Sequence, residues 1–114
     1  MKYSFIFLVI ILFCSCHNRK NVLVVYPEYC GGCVIRNFSE LKNKKLADKF
    51  TVYFDTTNTF ILNCATQNKL NFQHIYNKDI PAKFGDYANV VVINLDGKTI
   101  ELKTNETITK GVHF

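Results

Sequence analysis

Cys30 and Cys33, separated by Gly31 and Gly32, stand where an apolar run gives way to an amphipathic one. Two thiols three residues apart at a helix start can close a small disulfide. The sulfur of the first then lies beside unpaired helix N–H groups and the positive end of the helix dipole. Both features favour the thiolate, the reactive form of cysteine, and lower its pKa below that of an ordinary thiol. The second thiol, one turn further in, is shielded and can resolve a mixed disulfide from inside. The pattern points to thiol–disulfide exchange, with Cys30 as nucleophile and Cys33 as resolving thiol. Gly31 and Gly32 accommodate either redox state and leave the approach to Cys30 open.

Two other roles stay open for the pair. One is a plain disulfide staple, although closing so short a gap removes little chain entropy. The other is half of a metal site, a soft-metal carrier being the matching function. A structural zinc site needs two further ligands, for which His74 and Cys64 are candidates at spacings unlike any familiar zinc pattern. The rest of the chain calls for no cofactor. It holds no glycine-rich phosphate loop, its aromatics suit a core, and His74 and His113 have no acid partner at a suggestive spacing.

The N-terminus says where the pair would work. Lys2 is followed by an unbroken apolar stretch over residues 5–13 and then by the small residues Cys14, Ser15 and Cys16. The stretch falls short of the roughly 20 residues that a spanning helix needs, and it reads as an export signal. Its end, LFCSC, resembles a bacterial lipoprotein signal, with Cys16 the lipidated residue. Cleavage without lipidation is the competing reading. Residues 1–16 are then signal and residues 17–21 a polar tether, leaving one domain over 22–114. The expected location is the periplasm or cell envelope, with membrane attachment through Cys16. Of the five cysteines, Cys14 leaves with the signal and Cys16 carries the lipid. Cys30, Cys33 and Cys64 remain in a disulfide-permissive compartment, and the neighbours Cys30 and Cys33 are the natural pair. Cys64 reads as a small buried core residue.

The formal charge is +5, yet the lysines are scattered. The densest run, Lys42, Lys44 and Lys45, falls on a helix and suits a solvated face. Nucleic acid is not an expected partner, because that needs basic residues gathered on one face.

The elements that must hold the cysteines can be read from periodicity. Residues 22–26 are a continuous apolar, β-branched run, the signature of a strand buried on both faces, and Pro27 ends it. Val34, Ile35, Phe38, Leu41 and Leu46 recur near helical spacing. A second strand is expected at 50–54 and a turn at 55–58, with Asn58 as a cap. Residues 59–69 suit a helix through Phe60, Ile61, Cys64 and Ala65, though a strand stays possible. Residues 70–88 resist assignment, and Pro81 reads as a loop proline. Residues 89–102 form a hairpin turning at Asp96-Gly97. The last ten residues have room for a short helix, capped by Asn105. The expected class is α/β: strand, helix, strand, helix, hairpin, forming a mixed sheet with helices on both faces and the last helix short or missing.

VLVVYPEYCGGC before a helix, with a later VVVINLDGKTI hairpin, resembles the thioredoxin-like family, especially its exported and membrane-anchored members. The likeness covers residues 22–103. It implies a thiol–disulfide oxidoreductase that passes electron pairs between protein thiols and disulfides outside the cytoplasm, recharged by a redox partner. Cys30 takes the attacking position, Cys33 the resolving one, and Tyr29 the aromatic position beside the active site. With Gly31 and Gly32, Tyr29 would line the substrate site. Three departures stand out. Ala88 occupies the place of the family's cis-proline, which helps bind the substrate backbone; a trans peptide and an altered docking surface follow. Val24 replaces a buried acid six residues before the first cysteine, while Glu28 reads as a solvated loop residue. The final helix is cut short. These departures leave a binding module on the same scaffold, with a structural disulfide, as the alternative function.

Overall fold

The computed structural model describes residues 20–102, 106 and 108. The signal segment, the lipidation candidate Cys16, most of the tether, the helix expected after Asn105 and His113 lie outside the described residues. Strand β1 (Asn21–Val25) leads through helix α1 (Gly31–Asn43) and a 3-10 turn (Ala47–Lys49) to β2 (Phe50–Phe54). Helix α2 (Thr59–Gln67) leads to β3 (Phe72–His74), a second 3-10 turn (Asn77–Asp79) and the short helix α3 (Ile80–Phe84). Strands β4 (Val90–Ile93) and β5 (Thr99–Leu102) form the hairpin. The five strands make one mixed sheet in the order β3-β2-β1-β4-β5. β1 runs parallel to β2, and β2 to β3, while β4 pairs antiparallel with both β1 and β5. The protein is thus an α/β domain with helices on both faces, as the sequence implies.

The apolar run of β1 is split between two cores. Leu23 and Val25 face α1 and α2, meeting Val34, Phe38, Leu41, Ile61 and Ala65. Val24 faces the other way, with Tyr26 and Val91 against Ile75 and Ile80. A strand covered on both sides has no polar face to offer, which is why no alternation shows in its sequence. Among the described residues no helix is long and apolar enough to cross a membrane.

Helices α1 and α2 stop in the same way. After each, a lysine adopts positive φ, Lys45 at 58° and Lys69 at 55°. The N–H of the following leucine then reaches back to the helix: Leu46 to the carbonyl of Leu41 at 2.7 Å, and Leu70 to that of Ala65 at 3.0 Å. Both ends are Schellman motifs whose leucine folds onto the main core. Leu46 is therefore buried from beyond the helix and does not extend its stripe.

Three expectations are corrected by the fold, and one that stayed open is decided. Ile35, expected on the inner face of α1, is 49% exposed, and Asn37 is fully buried in its stead. Asn37 Nδ2 donates to the Cys33 carbonyl at 2.8 Å, and its Oδ1 accepts the Ile108 N–H at 2.8 Å. A buried amide with both ends bonded avoids the desolvation penalty that an unpaired one would carry. Residues 59–67 are helical, and Asn58 caps them by accepting the Ile61 N–H at 3.2 Å. Pro81 lies in the first turn of α3, where its missing N–H breaks no helix bond. The hairpin turn centres on Leu95 and Asp96, one residue earlier than expected. Asn94 Oδ1 gathers the N–H groups of Asp96 and Lys98, and Gly97 follows at φ +84°.

Candidate functional site

Between β1 and α1 the chain turns tightly, with the Tyr29 N–H donating to the Tyr26 carbonyl at 3.1 Å. Pro27 sits at the second position of that turn, where its fixed φ is pre-set. The turn delivers Cys30 as the N-cap of α1. Its extended backbone (φ −83°, ψ 119°) lets the side chain fold back over the first helical turn, and Sγ accepts the Cys33 N–H at 3.3 Å. The sulfur thus takes the place a serine or aspartate oxygen fills in an ordinary cap. Cys30 is half-buried, whereas Cys33 is only 1% exposed, under the helix. The described cysteines carry thiols, with no disulfide.

The two thiols are driven apart. The Cys33 side chain, hydrogen-bonded to Cys30, is the main influence lowering the Cys30 pKa, followed by the Cys33 N–H; burial opposes them, and the Gly32 N–H and the Arg36 charge add smaller lowering effects. Burial is the main influence raising Cys33, and the bond to Cys30 and its charge add to it. Asn89 and Arg36 pull Cys33 the other way. Cys30 is therefore the group that ionises first, and Cys33 keeps its proton and shares it with the Cys30 sulfur.

The glycines have a simpler role than conformational freedom. Neither has positive φ. A Cβ on Gly32 would meet nothing within 4 Å, and one on Gly31 would only touch the Phe60 ring at 4.0 Å. What they contribute is a bare surface beside Cys30. Gly32→Ala is accordingly expected to stabilise the fold by about 0.5–1 kcal/mol, through helix propensity and lost unfolded-state freedom. Urea unfolding measures it, and destabilisation would show that the position needs glycine.

Tyr29 borders the same surface. Its hydroxyl accepts the Asn58 amide at 3.1 Å, which ties it to the cap of α2. Its ring stacks on Phe60, with centroids 6.2 Å apart and planes 10° from parallel. Phe60 is 39% exposed. In the sequence it reads as a core-facing helical residue, and the structure makes it the outer wall of the site.

On the other side of Cys30 runs the loop over residues 85–89. Gly85 turns it at φ +100°, a conformation suited to glycine, and its carbonyl accepts the buried Tyr26 hydroxyl at 2.7 Å. Burial pushes the Tyr26 phenol up to about 12, so it stays a donor. Ala88 is exposed, and its N–H donates to Glu101 Oε2 at 2.7 Å. The described peptide bonds are trans. Asn89, beside Ala88, makes the contact with the helix: its Oδ1 accepts the Cys30 N–H at 2.9 Å. Asn89 went unnoticed in the sequence because a polar residue before an apolar strand looks like any turn residue.

The remaining candidates are not drawn in. Cys64 is half-buried at the edge of the main core and not within it, because it sits one position off the Ile61–Ala65 stripe of α2. His74 Nδ1 accepts the Thr56 N–H at 3.2 Å and lies 2.9 Å from the Thr56 hydroxyl, with its ring edge-on to Tyr76. Among the described residues no three His, Cys, Asp or Glu side chains gather as a metal ion would require. Glu28 is exposed and Val24 fully buried. Compared with known proteins, the chain significantly matches no family model, no curated protein and no solved structure.

Proposed function

We propose that the protein is a thioredoxin-like thiol–disulfide oxidoreductase, lipid-anchored through Cys16 outside the cytoplasm and acting on protein thiols and disulfides. The observation that carries this reading is the split between the two thiols: an accessible Cys30 capping α1 with lowered pKa, and a buried Cys33 with raised pKa one turn behind it. The parallel β1–β2 pair with a helical crossover, followed by an antiparallel hairpin, is compatible with the thioredoxin-like arrangement. As a reductant, the Cys30 thiolate attacks a substrate disulfide, forms a mixed disulfide and releases one substrate thiolate, which takes up a proton. Cys33 then loses its proton and attacks the Cys30 sulfur, so the Cys30–substrate bond breaks and the second substrate thiol leaves. Two electrons pass to the substrate and Cys30–Cys33 becomes a disulfide; the reverse sequence oxidises a substrate dithiol.

A redox titration of the full chain, with alkylation and mass spectrometry reporting Cys30 and Cys33 separately from Cys64, tests this. A reversible couple between roughly −270 and −120 mV is expected of an exchange catalyst. A pair still oxidised below about −300 mV would mark a structural staple and leave a binding module instead.

A further inference from the structure

We propose that the Asn89 carboxamide prepares Cys33 for the resolving step, donating from Nδ2 to its sulfur while Oδ1 holds the N–H of Cys30. This positioning role rests on the exchange reading above and adds to it a residue that does not itself react.

The amide is oriented without ambiguity. The Cys30 N–H is only a donor, so the atom 2.9 Å from it must be the amide oxygen. The Leu102 carbonyl is only an acceptor, so the atom 3.3 Å from it must be the amide nitrogen. The Asn89 backbone is held as well, its carbonyl accepting the Tyr26 N–H at 3.1 Å. The residue that follows β1, strand β5 and the cap of α1 thus all bond this one residue. The Nδ2 group has two hydrogens. One points to Leu102, which leaves the other for the Cys33 sulfur.

The need for such a donor follows from where Cys33 lies. Its sulfur must ionise to attack Cys30 in the mixed disulfide, yet burial, the main influence raising its pKa, opposes that. Val24, six residues before Cys30, carries no proton acceptor and faces the opposite side of the sheet from α1. Glu28 is exposed. The side-chain charge that acts on both thiols from outside the pair is Arg36 on α1, which favours both thiolates, while Glu101 on β5 accepts the Ala88 N–H at Oε2. A neutral donor on Cys33 stabilises the thiolate as it forms and is too weak an acid to protonate it. Hydrogen bonds to charged acceptors are stronger than neutral ones, strong enough for an effect of roughly tenfold on the resolving rate.

The test separates the two steps with a neutral disulfide, 4,4′-dithiodipyridine, on the full chain with Cys14, Cys16 and Cys64 changed to alanine. Cys30 attack releases a first thiopyridone, and Cys33 attack on the resulting mixed disulfide releases a second. In Asn89→Ala the first release is expected within about threefold of the unaltered chain, while the second slows roughly tenfold and its pH midpoint moves up. Asn89→Asp keeps an acceptor for the Cys30 N–H and loses the donor; its second phase is expected to slow at least as much. Second phases within about twofold of the unaltered chain in both variants would overturn the proposal. So would equal slowing of both phases, which would mean that Asn89 only holds the shape of the site. A Cys33→Ser control that leaves the second phase intact would instead sink the exchange reading itself.

Discussion

Cys30→Ser is expected to reduce disulfide exchange by more than about two orders of magnitude, to the uncatalysed background, because a serine hydroxyl at neutral pH supplies no comparable nucleophile. Cys33→Ser is expected to fail differently. Cys30 still attacks, its thiolate still favoured by the Cys33 N–H and by Arg36, but nothing inside the protein then breaks the mixed disulfide. Trapped adducts should therefore accumulate in Cys33→Ser and be missing from Cys30→Ser, which non-reducing electrophoresis and mass spectrometry would show directly. Normal turnover by Cys30→Ser would overturn the assignment of the nucleophile. The pH dependence has a definite sign. Because the Cys30 pKa is lowered, its alkylation rate should rise through a midpoint below the ordinary thiol value of about 8.5 and fall away as pH drops through that midpoint. Cys33, raised by burial, should titrate above Cys30. In Cys33→Ala, which removes the donor that a serine hydroxyl would keep, the Cys30 midpoint should move up, because the largest influence lowering it is the Cys33 side chain.

Phe38→Ala is expected to cost about 3–5 kcal/mol, a large share of the roughly 5–15 kcal/mol that holds a domain folded. Phe38 has no exposed surface and lies between Val34 and Leu41 on the face of α1 that meets the sheet. Alanine would leave a cavity where the helix presenting Cys30 is seated. Urea unfolding measures the loss. Alkylation gives a second readout, since Cys30 should react more like an ordinary thiol as the helix loosens. Ile35→Ala is the contrast on the same helix: at 49% exposure it should change stability by no more than about 0.5 kcal/mol. Similar losses at both positions would mean that the seating of α1 is wrong.

The sequence by itself determined whatever is carried by short-range pattern. The unbroken run in β1 implies burial on both faces, and the spacing of Val34, Phe38 and Leu41 implies the buried side of α1. Together they place Cys30 at a strand-to-helix junction, from which its lowered pKa and the shielding of Cys33 follow by local chemistry. The Asp96-Gly97 signal located the hairpin to within one residue, and Asn94 decided the rest by gathering two backbone N–H groups. Where patterns compete, tertiary structure chose. The mixture of β-branched and apolar residues at 59–67 suits helix or strand, and the Asn58 cap with Ile61 and Ala65 in the core resolved it as helix. The three residues of β3 are exposed and carry no burial pattern, so only pairing with β2 reveals them as a strand.

Only the tertiary structure decided which polar residues serve the site. Asn37 and Asn89 look in the sequence like a helix-surface residue and a turn residue. Their partners Ile108 and Cys30 are 71 and 59 positions away, respectively. An amide carries the same donors and acceptors wherever it stands, so its role is set by what the closed sheet brings against it. Thiols are different: their reactivity depends on the first turn of the helix that follows them. That turn is local, and it was legible from Cys30, Gly31, Gly32 and Cys33 alone.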